Sequence, residues 1–151
     1  MTTQIEVRGL KELQARMAQF PEKLEEAQQV TMDASLLTLW ENVPPYPKIS
    51  FNSSYRRTGT LGRSLGTSAA GGKGSGRPSI YEVKKLGGGF EGRFGTNLSY
   101  APYVIGDTTQ AAHMGYWWQM KDIANKAGDK ITRLWQNLAD KMAKFLDGKG
   151  L

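Results

Sequence analysis

The chain contains no cysteine and a single histidine, His113. A disulfide framework, a thiolate metal site and a cysteine nucleophile are thereby excluded, and imidazole chemistry is reduced to one residue. No stretch approaches the roughly 20 apolar residues that a membrane-spanning helix needs. The start, MTTQIEVRGL, lacks the basic region followed by an apolar one that marks a secretory signal. A cytoplasmic setting without membrane contact is the expectation. Also missing is a phosphate loop: GGKGSG at 71–76 has no GK[ST] at the required spacing and no apolar strand before it, so it reads as a flexible hairpin tip.

What is present is 151 residues, enough for one domain with a hydrophobic core of its own. The net charge of +6 is unevenly placed. Residues 1–42 carry 4 basic and 7 acidic side chains (net −3), 43–94 carry 9 and 2 (net +7), and 95–151 carry 7 and 5 (net +2). A basic middle segment suits nucleic acid, an acidic protein neighbour, or plain solubility.

Alternation from Thr3 to Arg8, with Ile5 and Val7 on one side, predicts a short first strand. Leu10, Leu13 and Met17 predict a helix to Phe20, and Pro21 suits the first turn of a second helix running to about Asn42. In that second helix Leu24, Ala27, Val30, Ala34 and Leu37 recur at steps of three or four, predicting one buried face with Trp40 beside it. VPPYP at 43–47 ends it, since each proline removes a donor and disfavours helix in the residue before. From 48 to 79 the sequence is polar and rich in glycine, serine and arginine, which predicts a mobile arm. Within it, 65–70 is a candidate strand pairing with Ile80 to Leu86, and Phe90 to Thr96 is a further strand. The last helix is the clearest: Ile123, Ala127, Ile131, Leu134, Trp135, Leu138, Met142, Phe145 and Leu146 form a broad apolar stripe, opposite Lys130, Arg133, Lys141 and Lys144. The expected fold is α+β, a small antiparallel sheet of three or four strands packed against a long N-terminal helix and an amphipathic C-terminal helix.

Few residues suggest chemistry. His113 with Asp107 and Ser99 lacks the G-x-S-x-G elbow that would present a serine nucleophile. Asp122, Asp129, Asp140 and Asp147 alternate with lysines along the last helix and its end, as surface pairs do. No catalytic, cofactor-binding or metal-binding residue is assigned, and no cofactor is expected. Tyr100, Tyr103, Tyr116, Trp117 and Trp118 concentrate aromatic surface around two glycines and Pro102, which favours core or subunit-interface packing over base stacking. Arg56, Arg57, Thr58, Gly59 and Arg63 form the densest cationic feature, suited by guanidinium geometry to phosphates or to a carboxylate-rich partner. The candidate interaction residues are therefore Arg56, Arg57, Thr58, Gly59, Arg63, Tyr100, Tyr103, Trp117 and Trp118.

Read in order, IEVRGLKEL, FPEKL, VPPYP, YRRTGTLGRSL, a glycine-rich hairpin, FGTNLSYAPYVIGDTTQ and a closing amphipathic helix resemble the phage head-tail joining family, whose members are neck, tail-completion or minor tail-component proteins. The resemblance spans nearly the whole chain and is most specific at RRTGTLGRSL (56–65) and YAPYVIG (100–106). It implies a non-enzymatic virion subunit, assembled in the host cytoplasm into a homo-oligomeric ring of six or twelve copies. Portal, adaptor and tail proteins would be its neighbours, with non-specific contact to the genome DNA that passes through. Two departures stand out: Ile105 occupies the position where relatives place an acidic residue, and DTTQAAHMGYWW replaces a proline-rich ending. The alternative function is a small basic nucleic-acid-binding protein using residues 48–93.

Overall fold

The computed structural model describes residues 9–48, 59–108 and 116–149. Its elements run in the order α1 (Leu10–Glu41), α2 (Thr60–Ser64), β1 (Ile80–Leu86), β2 (Gly89–Gly95), α3 (Ala101–Ile105) and α4 (Met120–Leu146). The architecture is α+β, with two long helices and an antiparallel sheet.

Pro21 does not open a second helix; it lies inside a continuous helix of 32 residues. An interior proline costs roughly 3 kcal/mol through its lost donor and its clash with the preceding turn. Contacts with α4 on either side of Pro21 offset this cost. Arg16 Nε donates to the Leu146 carbonyl at 3.1 Å before it, and Trp135 Nε1 donates to Ser35 Oγ at 3.2 Å after it. With Lys130 Nζ 3.6 Å from Glu41 Oε2, these contacts set α1 and α4 side by side and antiparallel. The hydroxyls of Thr31, Ser35 and Thr38 return to carbonyls one turn back, at 2.7, 2.7 and 2.8 Å, so they enter the packed half of α1 without unpaired donors. Gln119 and Asp122 form a capping box at the start of α4, with the Gln119 amide donating to Asp122 Oδ2 at 2.8 Å.

Among the described residues the sheet has two strands, where three or four were expected. The predicted strand at 3–8 lies outside the described residues. The predicted strand at 65–70 is instead a tight loop, with one bridge from Thr67 to Lys73. Its chain reverses at Gly66, Gly71 and Gly72, all at positive φ, so the backbone cannot stay extended there. Ile80–Leu86 consequently pairs with Gly89–Gly95 in register Ile80↔Gly95 to Leu86↔Gly89, closed by Gly87 and Gly88. One sheet face lies on α1. At Gly92 a Cβ would meet Met32 Sδ and Leu36 Cδ2, so the absence of a side chain there lets strand and helix approach with these side chains in place. The outer face is ionic: Lys84 lies 3.2 Å from Glu82, and Arg93 lies 3.1 Å from Glu91 and 3.9 Å from Glu82.

The stretch 59–79 is packed rather than projecting. Leu65 is 0% exposed, and Leu61, Thr67 and Pro78 are buried. The glycine-rich 71–76 is tied down as well. Gly72 N donates to the Val43 carbonyl and Gly74 N to the Gly66 carbonyl, both at 2.7 Å, while Thr67 Oγ1 donates to the Gly72 carbonyl at 2.6 Å. Trp40 Nε1 donates to the Gly66 carbonyl at 2.8 Å, joining this loop to the end of α1. Residues 49–58, the rest of the expected arm, lie outside the described residues.

The core consists of two adjoining clusters. Leu61, Leu65, Ala101 and Ile105 form one; Trp40, Val43 and Ile123 form the other, and Phe94, Trp118 and Met120 pack against both.

Candidate interaction surface

The two short helices among the described residues are built by the segments TLGRSL and YAPYVIG. Each is amphipathic over a single turn and a half. α2 turns Leu61 and Leu65 inward and leaves Arg63 exposed, while α3 turns Ala101 and Ile105 inward and leaves Tyr103 exposed. The buried halves meet in one cluster, so the exposed halves are carried on a common support. Gly59, at φ 69°, caps α2 in the left-handed region that glycine adopts without strain. Arg63 Nη2 donates to Thr60 Oγ1 at 3.4 Å. Tyr100 and Tyr103 are 43% and 50% exposed.

Trp117 and Trp118 are half-buried and serve as the wall between this support and the segment after α1. Their ring centroids are 6.2 Å apart, edge to face, and Trp118 Nε1 donates to the Pro45 carbonyl at 3.2 Å. Tyr46 completes the group: its ring lies 6.3 Å from Trp117, and its hydroxyl donates to the Gly59 carbonyl at 3.1 Å. That ring occupies the space where a Cβ on Gly62 would stand. The Tyr116 hydroxyl donates to the Lys48 carbonyl. Gly59, Arg63, Tyr100, Tyr103, Trp117 and Trp118 therefore belong to one neighbourhood. Arg56, Arg57 and Thr58 lie outside the described residues, as does His113. No family model, curated protein or solved structure matches this chain.

Tyr46 was not among the candidate residues, although its place in PPYP, directly after a helix stop, marks a rigid aromatic. Behind α3 lies a cleft of about 500 Å³ with Phe94, Leu98, Ile105 and Met120 in its wall and Thr96, Asn97 and Thr108 at its rim. At the other core cluster Lys73 Nζ sits 4.9 Å from the Trp40 ring centre, and the Arg77 guanidinium sits 5.5 Å from that of Tyr81. Burial raises the Tyr81 pKa above its ordinary 10.0, and the negative charges of Asp33 and Glu41 add to this while Arg77 opposes it. Among the described residues no group of three or more histidine, cysteine, aspartate or glutamate side chains is placed to hold a metal ion. Nor is any described helix long and apolar enough to cross a membrane.

Proposed function

We propose that the chain is a structural, non-catalytic subunit of a tailed-phage particle, a neck or tail-completion protein in the ring that joins the portal side of the head to the tail. The observation that carries this reading is the convergence of TLGRSL and YAPYVIG. These parts of the chain most specifically resemble head-tail joining proteins, and they share one buried cluster while presenting Arg63, Tyr100 and Tyr103 outward. Exposed tyrosines on a rigid support are the usual anchors of protein interfaces, and guanidinium groups suit carboxylate or phosphate partners. A chain of this length has a radius of gyration of only about 15 Å, so a passage for duplex DNA requires several copies. A closed ring of six or twelve copies, flanked by portal, adaptor and tail proteins, meets that requirement.

The nucleic-acid-binding alternative draws less support. Within its proposed segment, Lys84, Lys85 and Arg93 lie against the carboxylates of Glu82, Glu25 and Glu91, and Lys73 and Arg77 lie over aromatic rings. Deletion of the gene from its phage or prophage, followed by electron microscopy, tests the reading. DNA-filled heads and finished tails that fail to join are expected. Normally joined, infectious particles would remove the assignment, and a steeply salt-dependent affinity of the monomer for DNA would favour the alternative.

A further inference from the structure

Val30 was expected on a buried helix face, yet it is 68% exposed. It lies in an open groove of about 560 Å³ between α1 and α4, floored by Ala27, Val30, Ala34, Leu134, Leu138 and Met142. The hairpin does not reach this groove: it packs on α1 through Met32 and Leu36, which project from another side of the helix. The groove runs from Lys23 to Ala34 along α1, about 16 Å at the helical rise.

The two helices bordering the groove carry opposite charge. On α1, Glu22, Glu26, Val30, Asp33, Leu37 and Glu41 follow at steps of four, four, three, four and four, one helical stripe with four acids and no base. On α4, Lys126, Lys130, Arg133, Asn137, Lys141 and Lys144 follow at steps of four, three, four, four and three, a stripe with five bases and no acid. Lys23, whose Nζ lies 3.5 Å from Glu26 Oε2, and Asp140 also line the groove beside these stripes. Among the described residues one ion pair joins the stripes, Lys130 to Glu41 at 3.6 Å, where the helices run together above the groove.

We infer that this face is closed by a second copy of the same chain, with α1 of each copy lying on α4 of the other in a two-fold four-helix contact. The charge pattern selects that arrangement. A two-fold axis along the helices sets each acidic stripe on a basic one and buries Val30, Leu134 and Leu138 of both copies together. An axis across the helices would set each acidic stripe on the other and each basic stripe on the other, which is less favourable. The contact stands on this geometry alone and does not depend on the phage reading; the aromatic surface of α3 remains available for other neighbours.

Sedimentation velocity on the full chain tests it, together with two charge-reversed variants, Glu26→Lys/Asp33→Lys and Arg133→Glu/Lys141→Glu. The wild type should form a dimer that weakens as salt rises from about 0.1 M to about 1 M, where the screening length shrinks from about 10 Å to about 3 Å. Each variant alone should dimerise at least tenfold more weakly, while keeping its circular dichroism and melting profile. An equimolar mixture of the two should recover a dimer, because each basic α1 then meets an acidic α4. A monomeric wild type, folded variants that dimerise normally, or a mixture that stays monomeric would each overturn the proposal. Should a variant fail to fold, Val30→Lys supplies the same test from the groove floor, with normal dimerisation counting against the contact.

Discussion

The two halves of α4 are built from one apolar stripe but live in different surroundings. In its first turns Ile123 is 1% and Ala127 0% exposed, and Ile123 is held in the cluster of Trp40, Val43, Tyr81 and Trp118. In its later turns Leu134, Trp135 and Leu138 are only half-buried, and among the described residues the element packed along them is α1. A continuous apolar stripe therefore does not imply continuous burial. Where three layers meet, the stripe becomes core; where two helices run alone, part of it faces outward and becomes a place for a partner.

The largest effect in this comparison is expected at the packed end. Leu65→Ala should destabilise the fold by about 2–5 kcal/mol, because Leu65 is 0% exposed and its neighbours are fixed by the surrounding helices. Chemical denaturation measures this, and a loss below about 1 kcal/mol would mean the α2–α3 cluster is not a core. Gly62→Ala comes next, at roughly 1–3 kcal/mol, since the added methyl forces the Tyr46 ring away and breaks its bond to the Gly59 carbonyl. An unchanged melting temperature would show that Tyr46 does not rest there in solution.

At the open end the effect shrinks. The sequence stripe predicts Trp135 in the core, where truncation is severe; the structure leaves it half-buried, with its indole donating to Ser35. Trp135→Phe, which removes the indole donor and part of the ring surface, should cost about 1–2 kcal/mol. A loss of several kcal/mol would place this turn in a core as tight as that around Ile123. The smallest effect is pH-dependent. The Tyr81 pKa is raised by burial, then by Asp33, so folding favours the neutral phenol. The unfolded chain begins to release this proton near 10.0, before the folded one does, so stability from Tyr81 is complete below that pH and declines as pH rises through the folded value. Tyr81→Phe should flatten this alkaline decline in thermal melts, and an identical slope would remove Tyr81 as its source.

The long helices, the strands at 80–86 and near 90–96, and the aromatic grouping were legible because periodicity and turn residues act locally. The single helix through Pro21 was not, because the contacts that offset its cost come from Leu146 and Trp135, more than a hundred residues away. The loop at 65–76 was misread for a similar reason. Glycines that look like a flexible tip are here the residues that fit positive φ and close approach, fastened by Trp40 and Val43. Val30 obeyed the helical spacing but not the burial, since periodicity assigns a face without supplying the layer that covers it. Of the candidate surface, the aromatic and α2 residues converge through Leu61, Leu65 and Ile105, while Tyr46 was missed because its partner Gly62 offers no sequence signal beyond being a glycine.

Hydrogen exchange along α4, followed at low and high protein concentration, tests most directly whether its two halves differ as described. Amides at 124–127, the first with acceptors inside the helix, should be strongly protected at every concentration, while those at 134–146 should exchange faster in dilute protein and gain protection as concentration rises. Uniform, concentration-independent protection along the whole helix would contradict the account.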